Sequence, residues 1–150
     1  MPTTPNEQKP LYIYLAYLGL IPFVGLTLLL VKSIHILPLI GSTLTAFLLY
    51  ALLISVFMSG AHWGQQLHPN SQWNIFLPIT SNINTVVLWI SYLCLDKHTV
   101  LTILSISYIG LLIIDKVLYH YDAIKSDYYL ARKIITTIVL FCLIDVGVYS

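Results

Sequence analysis

Long apolar runs alternate with short polar joints along this chain. The runs cover residues 12–31, 39–61, 75–95, 99–119 and 134–149, and a polar tail occupies residues 1–11. About 20 apolar residues, at roughly 1.5 Å of rise per residue, match the ~30 Å hydrocarbon core of a bilayer. The pattern therefore predicts an all-α bundle of about five transmembrane helices, forming one domain over residues 1–150.

Composition agrees with this class and excludes several others. Hydrophobic residues make up 58% of the chain and charged residues only 9%, whereas soluble domains carry about 25% charged residues. Seven Lys and Arg residues and a net charge of +1 argue against a nucleic-acid partner, which needs a basic cluster. Cys94 and Cys142 lack CxxC spacing, so neither disulfides nor a metal site is predicted.

The basic residues near the helix ends are divided unequally between the two sides. The side of the N-terminus has Lys9, Lys116, Lys125, Arg132 and Lys133, and the other side has Lys32 and Lys97. The positive-inside rule then predicts a cytoplasmic N-terminus and an external C-terminus. We expect the bacterial inner membrane as the location.

Polar residues inside the spans indicate which faces are buried, because an unsatisfied polar group in lipid is unfavourable. On the second span Ala51, Ser55 and Ser59 recur at every fourth position, and His62 ends the same stripe. Small residues at this spacing let another helix approach closely. On the third span Asn82 and Asn84 point to opposite sides, so we expect both amides to be buried against neighbours.

Several residues of different helices fall at one membrane face under this topology. The candidate cluster, for ligand binding or structure, is His62, Trp63, Asp115, Tyr119, Tyr129 and Arg132. Three alternatives remain open: the aromatic residues form an interfacial belt, Arg132 is a positive-inside anchor, or Asp115 and Arg132 form a structural ion pair.

Two histidines raise the alternative of a haem. His62 and His120 come from different helices, and two imidazoles in a bundle can hold a b-type haem. Both lie at the ends of their spans, however, whereas a porphyrin needs an apolar slot. A quinone or lipid headgroup beside Trp63 and Arg132 requires less geometry. The motifs of hydrolases, zinc proteases and nucleotide-binding proteins are absent, so no catalytic residues are predicted.

Short motifs along nearly the whole chain resemble a known family. They are LGLIPF (18–23), SGAHWG (59–64), Phe76-Leu77-Pro78, Asp115 and DYYLARKIITT (127–137). Together they resemble the domain-of-unknown-function family 3429, small multi-pass bacterial membrane proteins that include the mitochondrial transmembrane protein 69. The resemblance implies a fold and a membrane location, and it brings no reaction.

Two classes of function follow from the sequence. The first is a structural or accessory subunit, or an assembly partner, of a membrane complex, favoured by the small size and the stripe of small residues. The alternative is a binding module for a small amphipathic ligand at the cytoplasmic side. A membrane enzyme comes third. The expected partners are the lipid bilayer and other membrane proteins.

Overall fold

The computed structural model describes residues 11–64 and 75–150. Within these residues the chain forms six helices and one short hairpin. They are α1 Leu11–Leu18, α2 Leu20–Val31, β1 Ile36–Leu37, β2 Gly41–Ser42, α3 Thr43–Gly64, α4 Phe76–Cys94, α5 Lys97–His120 and α6 Ser126–Tyr149. Apart from Leu11, the polar tail assigned to residues 1–11 lies outside the described residues.

Within residues 11–64 and 75–150, four helical stretches are long and apolar enough to cross a membrane. They are Ile13–Val31, Thr43–Gly64, Phe76–Cys94 and Lys97–His120. This result confirms the all-α membrane class. The fifth expected span lies within α6, which also carries Asp127, Arg132, Lys133 and Asp145. That α6 crosses the membrane stays a prediction.

The first span is interrupted at Gly19, between α1 and α2. Pro22 is the cause, because its ring nitrogen cannot donate to the carbonyl of Leu18, four residues earlier, and the ring crowds that carbonyl. The hydroxyl of Tyr50 on α3 donates to the carbonyl oxygen of Gly19 over 2.9 Å. A side chain on a neighbouring helix thus satisfies a backbone group at the break.

Two boundaries differ from those that hydropathy predicts. The second span was expected from residue 39, but α3 begins at Thr43, because Leu39 and Gly41 have positive φ angles of 73° and 88° in the β1–β2 hairpin. The last helix begins at Ser126 rather than at residue 134. The first two turns of α6 are helical although they carry charges, because the side chain of Arg132 is buried against Asp115.

α3 packs against α2, α4 and α5, and α6 packs against α5 and α2. At the centre, the ring of Phe23 makes edge contacts with the rings of Phe47, Tyr50 and Tyr108 at centroid distances of 5.8, 5.0 and 6.3 Å. α1 and α2 form one span, and from that span onward successive spans run antiparallel. The last turns of α3 and α5 and the first turns of α1, α4 and α6 therefore share one end of the bundle, here named the His62 end.

Candidate functional site

Three ionisable side chains meet inside the bundle near the His62 end. Nε of Arg132 lies 2.8 Å from Oδ2 of Asp115, and Nε2 of His62 lies 2.7 Å from Oδ1 of the same group. The exposed fractions of Arg132, Asp115 and His62 are 3%, 0% and 1%. Because these residues belong to α6, α5 and α3, the cluster joins three helices; we name it the buried triad.

The contact between His62 and Asp115 has one direction of donation that chemistry favours. A carboxylate paired with a guanidinium only accepts hydrogen bonds, so Nε2 of His62 carries the hydrogen that is donated to Asp115. The charges of Arg132 and Asp115 are opposite and balance each other. Buried charges are tolerated when they are paired in this way, whereas removing one partner is strongly destabilising.

Helical spacing explains why these side chains face one another. Ser55, Ser59 and His62 are separated by four and three residues and are all buried on α3. On α5, Tyr108 and Asp115 are seven residues apart, about two turns, and both face inward. The two stripes run along facing helices, so the last inward position of α3 meets the carboxyl group on α5.

A groove of about 370 Å³ lies beside Arg132, between α1, α2, α3 and α6. Most of its wall is apolar and includes Leu20, Phe23, Ile54, Ile135 and Val139. Among the described residues that line it, Arg132 is the one that is charged at neutral pH. Leu15 and Phe57, also in the lining, are 57% and 70% exposed. The groove therefore opens sideways on the apolar surface of the bundle.

Two residues that line this groove each have a buried polar atom without a partner. Nη2 of Arg132 and Oγ1 of Thr136 have no hydrogen bond to any part of the chain that the structure describes. The two residues are four apart on α6, so their side chains are neighbours on one face. Thr137, by contrast, donates to the carbonyl of Lys133 over 2.8 Å. An unpaired buried donor costs about 1–3 kcal/mol.

A family model described as Protein of unknown function (DUF3429) matches residues 8–146, nearly the whole chain. The chain belongs to this family. No curated protein and no solved structure matches it. The resemblance seen in the sequence motifs is thereby confirmed. The family description names no reaction and no ligand.

The DUF3429 chain has a second cavity, of about 290 Å³, between α3, α4 and α5. His62, Asn84 and Ser107 are among the residues that line it. The hydroxyl of Ser107 donates to Oδ1 of Asn84 over 2.6 Å, and its oxygen lies 2.8 Å from that of Ser55. These polar groups satisfy one another, so the groove beside Arg132 is the stronger candidate for a ligand.

The six-residue cluster expected from the sequence divides into two parts in this DUF3429 chain. His62, Asp115 and Arg132 form the buried triad, which includes the anticipated ion pair. The rings of Tyr119 and Tyr129 stack at 4.9 Å with an interplanar angle of 10°. Tyr119 is 40% exposed and Trp63 is 52% exposed, as interfacial aromatic residues are. A functional role for the whole cluster stays a prediction.

The haem alternative does not fit the geometry of the histidines. Nε2 of His62 is already bonded to Asp115. His120 is exposed, and its ring contacts that of Tyr121 at 5.8 Å. Within residues 11–64 and 75–150, no group of three or more His, Cys, Asp or Glu side chains is arranged to hold a metal ion.

One expectation about α4 fails in this chain. Asn84 is half-buried and bonded to Ser107, but Asn82 is exposed. The reason is that α4 packs on α3 and α5 through one face, and Asn82 lies on the opposite side of the helix. Its Nδ2 donates to the carbonyl of Pro78 over 2.9 Å, which partly satisfies the amide without a neighbouring helix.

The sequence interpretation also missed Thr136. Its position four residues after Arg132 is the available signal, because that spacing places both side chains on one helix face.

Proposed function

We propose that this protein is a multi-pass membrane protein that holds a small amphipathic ligand in the groove between α1, α2, α3 and α6. The observation that carries the proposal is the pair of buried, unpartnered polar atoms, Nη2 of Arg132 and Oγ1 of Thr136, on residues that line a mostly apolar groove. A bound acceptor would satisfy both groups and remove their desolvation penalty.

The size and opening of the groove support a ligand from the bilayer. A volume of about 370 Å³ lies in the range of ~300–1,000 Å³ typical of small-molecule pockets. The apolar wall suits an alkyl chain or a ring system. Because exposed Leu15 and Phe57 line the groove, a hydrophobic ligand enters sideways from lipid without passing through water.

Charge supports a cytoplasmic position for the His62 end in a bacterial inner membrane. Lys116, Lys125 and Lys133 are exposed near that end, and Lys32 and Lys97 are exposed at the other. Arg132 no longer counts as an interface anchor, since it is buried against Asp115. Lys9 lies outside the described residues. Three exposed lysines at the His62 end against two at the other end still favour a cytoplasmic His62 end under the positive-inside rule.

A purified sample retains the ligand if the affinity is sufficient, so native mass spectrometry of the detergent-solubilised protein tests the proposal. We expect bound small molecules on the parent protein. Ala61→Phe adds a ring to a residue that lines the groove and should remove them. Thr136→Val deletes one unpaired hydroxyl at nearly constant volume, so it should weaken retention while the folded yield stays equal or rises.

Matched controls exist for both variants. Gly60→Phe places the same ring one residue earlier, where a Cβ atom meets open space, and Thr137→Val removes an exposed hydroxyl. Both should keep the ligand. If the parent protein and Ala61→Phe carry the same bound molecules, the groove is not the binding site.

A second candidate function is an accessory subunit that packs against another membrane protein. The supporting observation is Asn82, an exposed amide between the exposed apolar residues Ile79, Ile83 and Val86 on α4. A helix with a hydrogen-bonding side chain would cover this position. Native mass spectrometry of membrane extracts should then show a complex that Asn82→Leu dissociates and Phe141→Leu, an exposed position on α6, does not. A complex that survives Asn82→Leu would exclude this face.

A further inference from the structure

We infer that the headgroup of the ligand is uncharged and offers a carbonyl-type oxygen to Arg132 and Thr136. This inference rests on the proposed function, because it assigns the chemistry of the ligand in the same groove. Three features carry it: the unpartnered donors on Arg132 and Thr136, the ion pair of Arg132 with Asp115, and the apolar wall.

The unpartnered groups require an acceptor. A guanidinium nitrogen donates hydrogen bonds and cannot accept them, so the ligand atom at Nη2 of Arg132 has a lone pair to offer. The hydroxyl of Thr136 is free to donate as well. A carbonyl oxygen has two lone pairs and can accept from two donors that converge from one face of a helix. An alcohol at the same place would have to find an acceptor for its own hydrogen.

The charge balance then excludes an anionic headgroup. The charge of Arg132 is already matched by Asp115 at 2.8 Å, and His62 is not among the residues that line the groove. No other side chain charged at neutral pH lines the groove among the described residues. A carboxylate or phosphate would therefore bring an unmatched charge into an apolar wall, which is strongly unfavourable. A neutral carbonyl compound adds no charge.

Two membrane constituents share this chemistry: a quinone, with its ring carbonyls, and a diacyl lipid, with its ester carbonyls. They differ in shape at the oxygen, since the quinone is a flat ring and the ester is a branched chain. The experiment therefore includes one probe for each source.

Four probes of similar chain length test the inference on the full-length protein in detergent at pH 8. They are a benzoquinone with a ten-carbon chain, dioctanoylglycerol, decanoate and decyl phosphate. We expect saturable binding of at least one neutral probe, with a Kd at least tenfold below the Kd values of both anions. The neutral probe that binds more tightly identifies the source of the ligand.

Replacing Thr136 tests whether its hydroxyl contacts the bound probe. Thr136→Val should raise the Kd of the bound neutral probe about five- to tenfold, and Thr137→Val should leave it unchanged. Tighter binding of decanoate or decyl phosphate than of either neutral probe would overturn the inference and leave the proposed function standing. If no probe binds saturably, or if Thr136→Val leaves every Kd unchanged, both the inference and the ligand site are wrong.

Discussion

Asp115 and Arg132 form an ion pair of 2.8 Å that is almost fully shielded from solvent, with side-chain exposures of 0% and 4%. The two residues belong to consecutive helices, and the turn of residues 121–125 places the last turns of α5 beside the first turns of α6. In a membrane-embedded bundle such a pair links the two helices strongly, because neither charge has water as an alternative partner.

Removing the carboxylate charge tests this role directly. Asp115→Asn leaves the guanidinium of Arg132 buried without a counter-charge, and we expect the free energy of unfolding in detergent to fall by about 3–5 kcal/mol. The measurement is a chemical or thermal unfolding curve of the solubilised protein. Asp122→Asn is the matched control: Asp122 is exposed with φ of 54°, a left-handed conformation that asparagine also tolerates, so its stability should not change.

A charge exchange is not expected to rescue the loss. In the double variant Asp115→Arg with Arg132→Asp, the new guanidinium at position 115 would meet the Nε2–H group of His62, which is a donor as well. Restoration of the parent stability by this exchange would show that the bond between His62 and Asp115 contributes little.

The sequence predicted all three residues of the triad, but only one of the two contacts between them. Opposite charges near the ends of consecutive helices made the pair of Asp115 and Arg132 foreseeable, since a short joint makes such helices neighbours. The contact of His62 with Asp115 depends on α3 packing on α5, and hydropathy does not determine which non-consecutive helices are adjacent. The unpaired hydroxyl of Thr136 could not be predicted for another reason. Helical threonines commonly donate to a backbone carbonyl one turn earlier, as Thr137 does, so a threonine in the sequence does not indicate an unpaired hydroxyl.

Hydropathy located the helices but not all their ends. Leu39 and Ile40 are as apolar as a span requires, yet they belong to a hairpin because of the positive φ angles at Leu39 and Gly41. Conversely, the polar first turns of α6 are helical because Arg132 has a buried partner in Asp115. A hydropathy profile reports only local apolar content, so it detects neither the hairpin nor the buried ion pair.

Asn84 and Asn82 should respond differently to the same substitution. Asn84→Leu removes the acceptor of the Ser107 hydroxyl and should lower the stability of the solubilised protein by about 1 kcal/mol, the usual scale for hydrogen bonds between membrane helices. Asn82→Leu replaces an exposed amide on an apolar surface and should leave the stability of the monomer unchanged or higher. Equal effects in unfolding curves of the two variants would contradict the packing of α4.

Asp96 gives the bundle a pH dependence at the end opposite the triad. Its carboxylate caps α5 by accepting from the Oγ1 and N of Thr99, at 2.6 and 3.0 Å, and these bonds hold the pKa of Asp96 below its ordinary value. A lowered native pKa means that the capping contribution is complete above the ordinary carboxyl pKa of about 3.9 and is lost as the pH falls through the native value.

Unfolding curves recorded as the pH is lowered through the acidic range test this assignment. The parent protein should lose stability on acidification, whereas Asp96→Asn, which retains a capping oxygen that does not titrate, should lose less. Thr99→Val removes the side-chain donor that lowers the pKa most and should shift the loss to higher pH. Identical pH profiles for the parent and Asp96→Asn would rule out this carboxylate as the source.

Labelling of single cysteines tests the orientation and the crossing of α5. Cys94 is exposed at the end of α4, and Cys142 is buried in α6. With the protein in a bacterial inner membrane, a membrane-impermeant maleimide added to spheroplasts should label Cys94. In the variant Cys94→Ser with Ser126→Cys, labelling should require permeabilised cells, because α5 separates the two positions. Labelling of Ser126→Cys in intact spheroplasts and of Cys94 only after permeabilisation would mean that the protein has the opposite orientation. Labelling of both positions in intact spheroplasts would mean that α5 does not cross the membrane.

The same method decides whether α6 crosses the membrane. α6 is 24 residues long, about 36 Å at a rise of 1.5 Å per residue, which is sufficient for the ~30 Å hydrocarbon core. Its charges do not forbid a crossing: Asp127 and Lys133 lie in the first two turns, Arg132 is neutralised by Asp115, and Asp145 is near the far end. In a background with Cys94→Ser, Ser150→Cys should therefore be labelled from outside intact spheroplasts and Ser126→Cys only after permeabilisation. Labelling of both positions from the same side would mean that α6 lies along one surface, with both ends of the helix on that side.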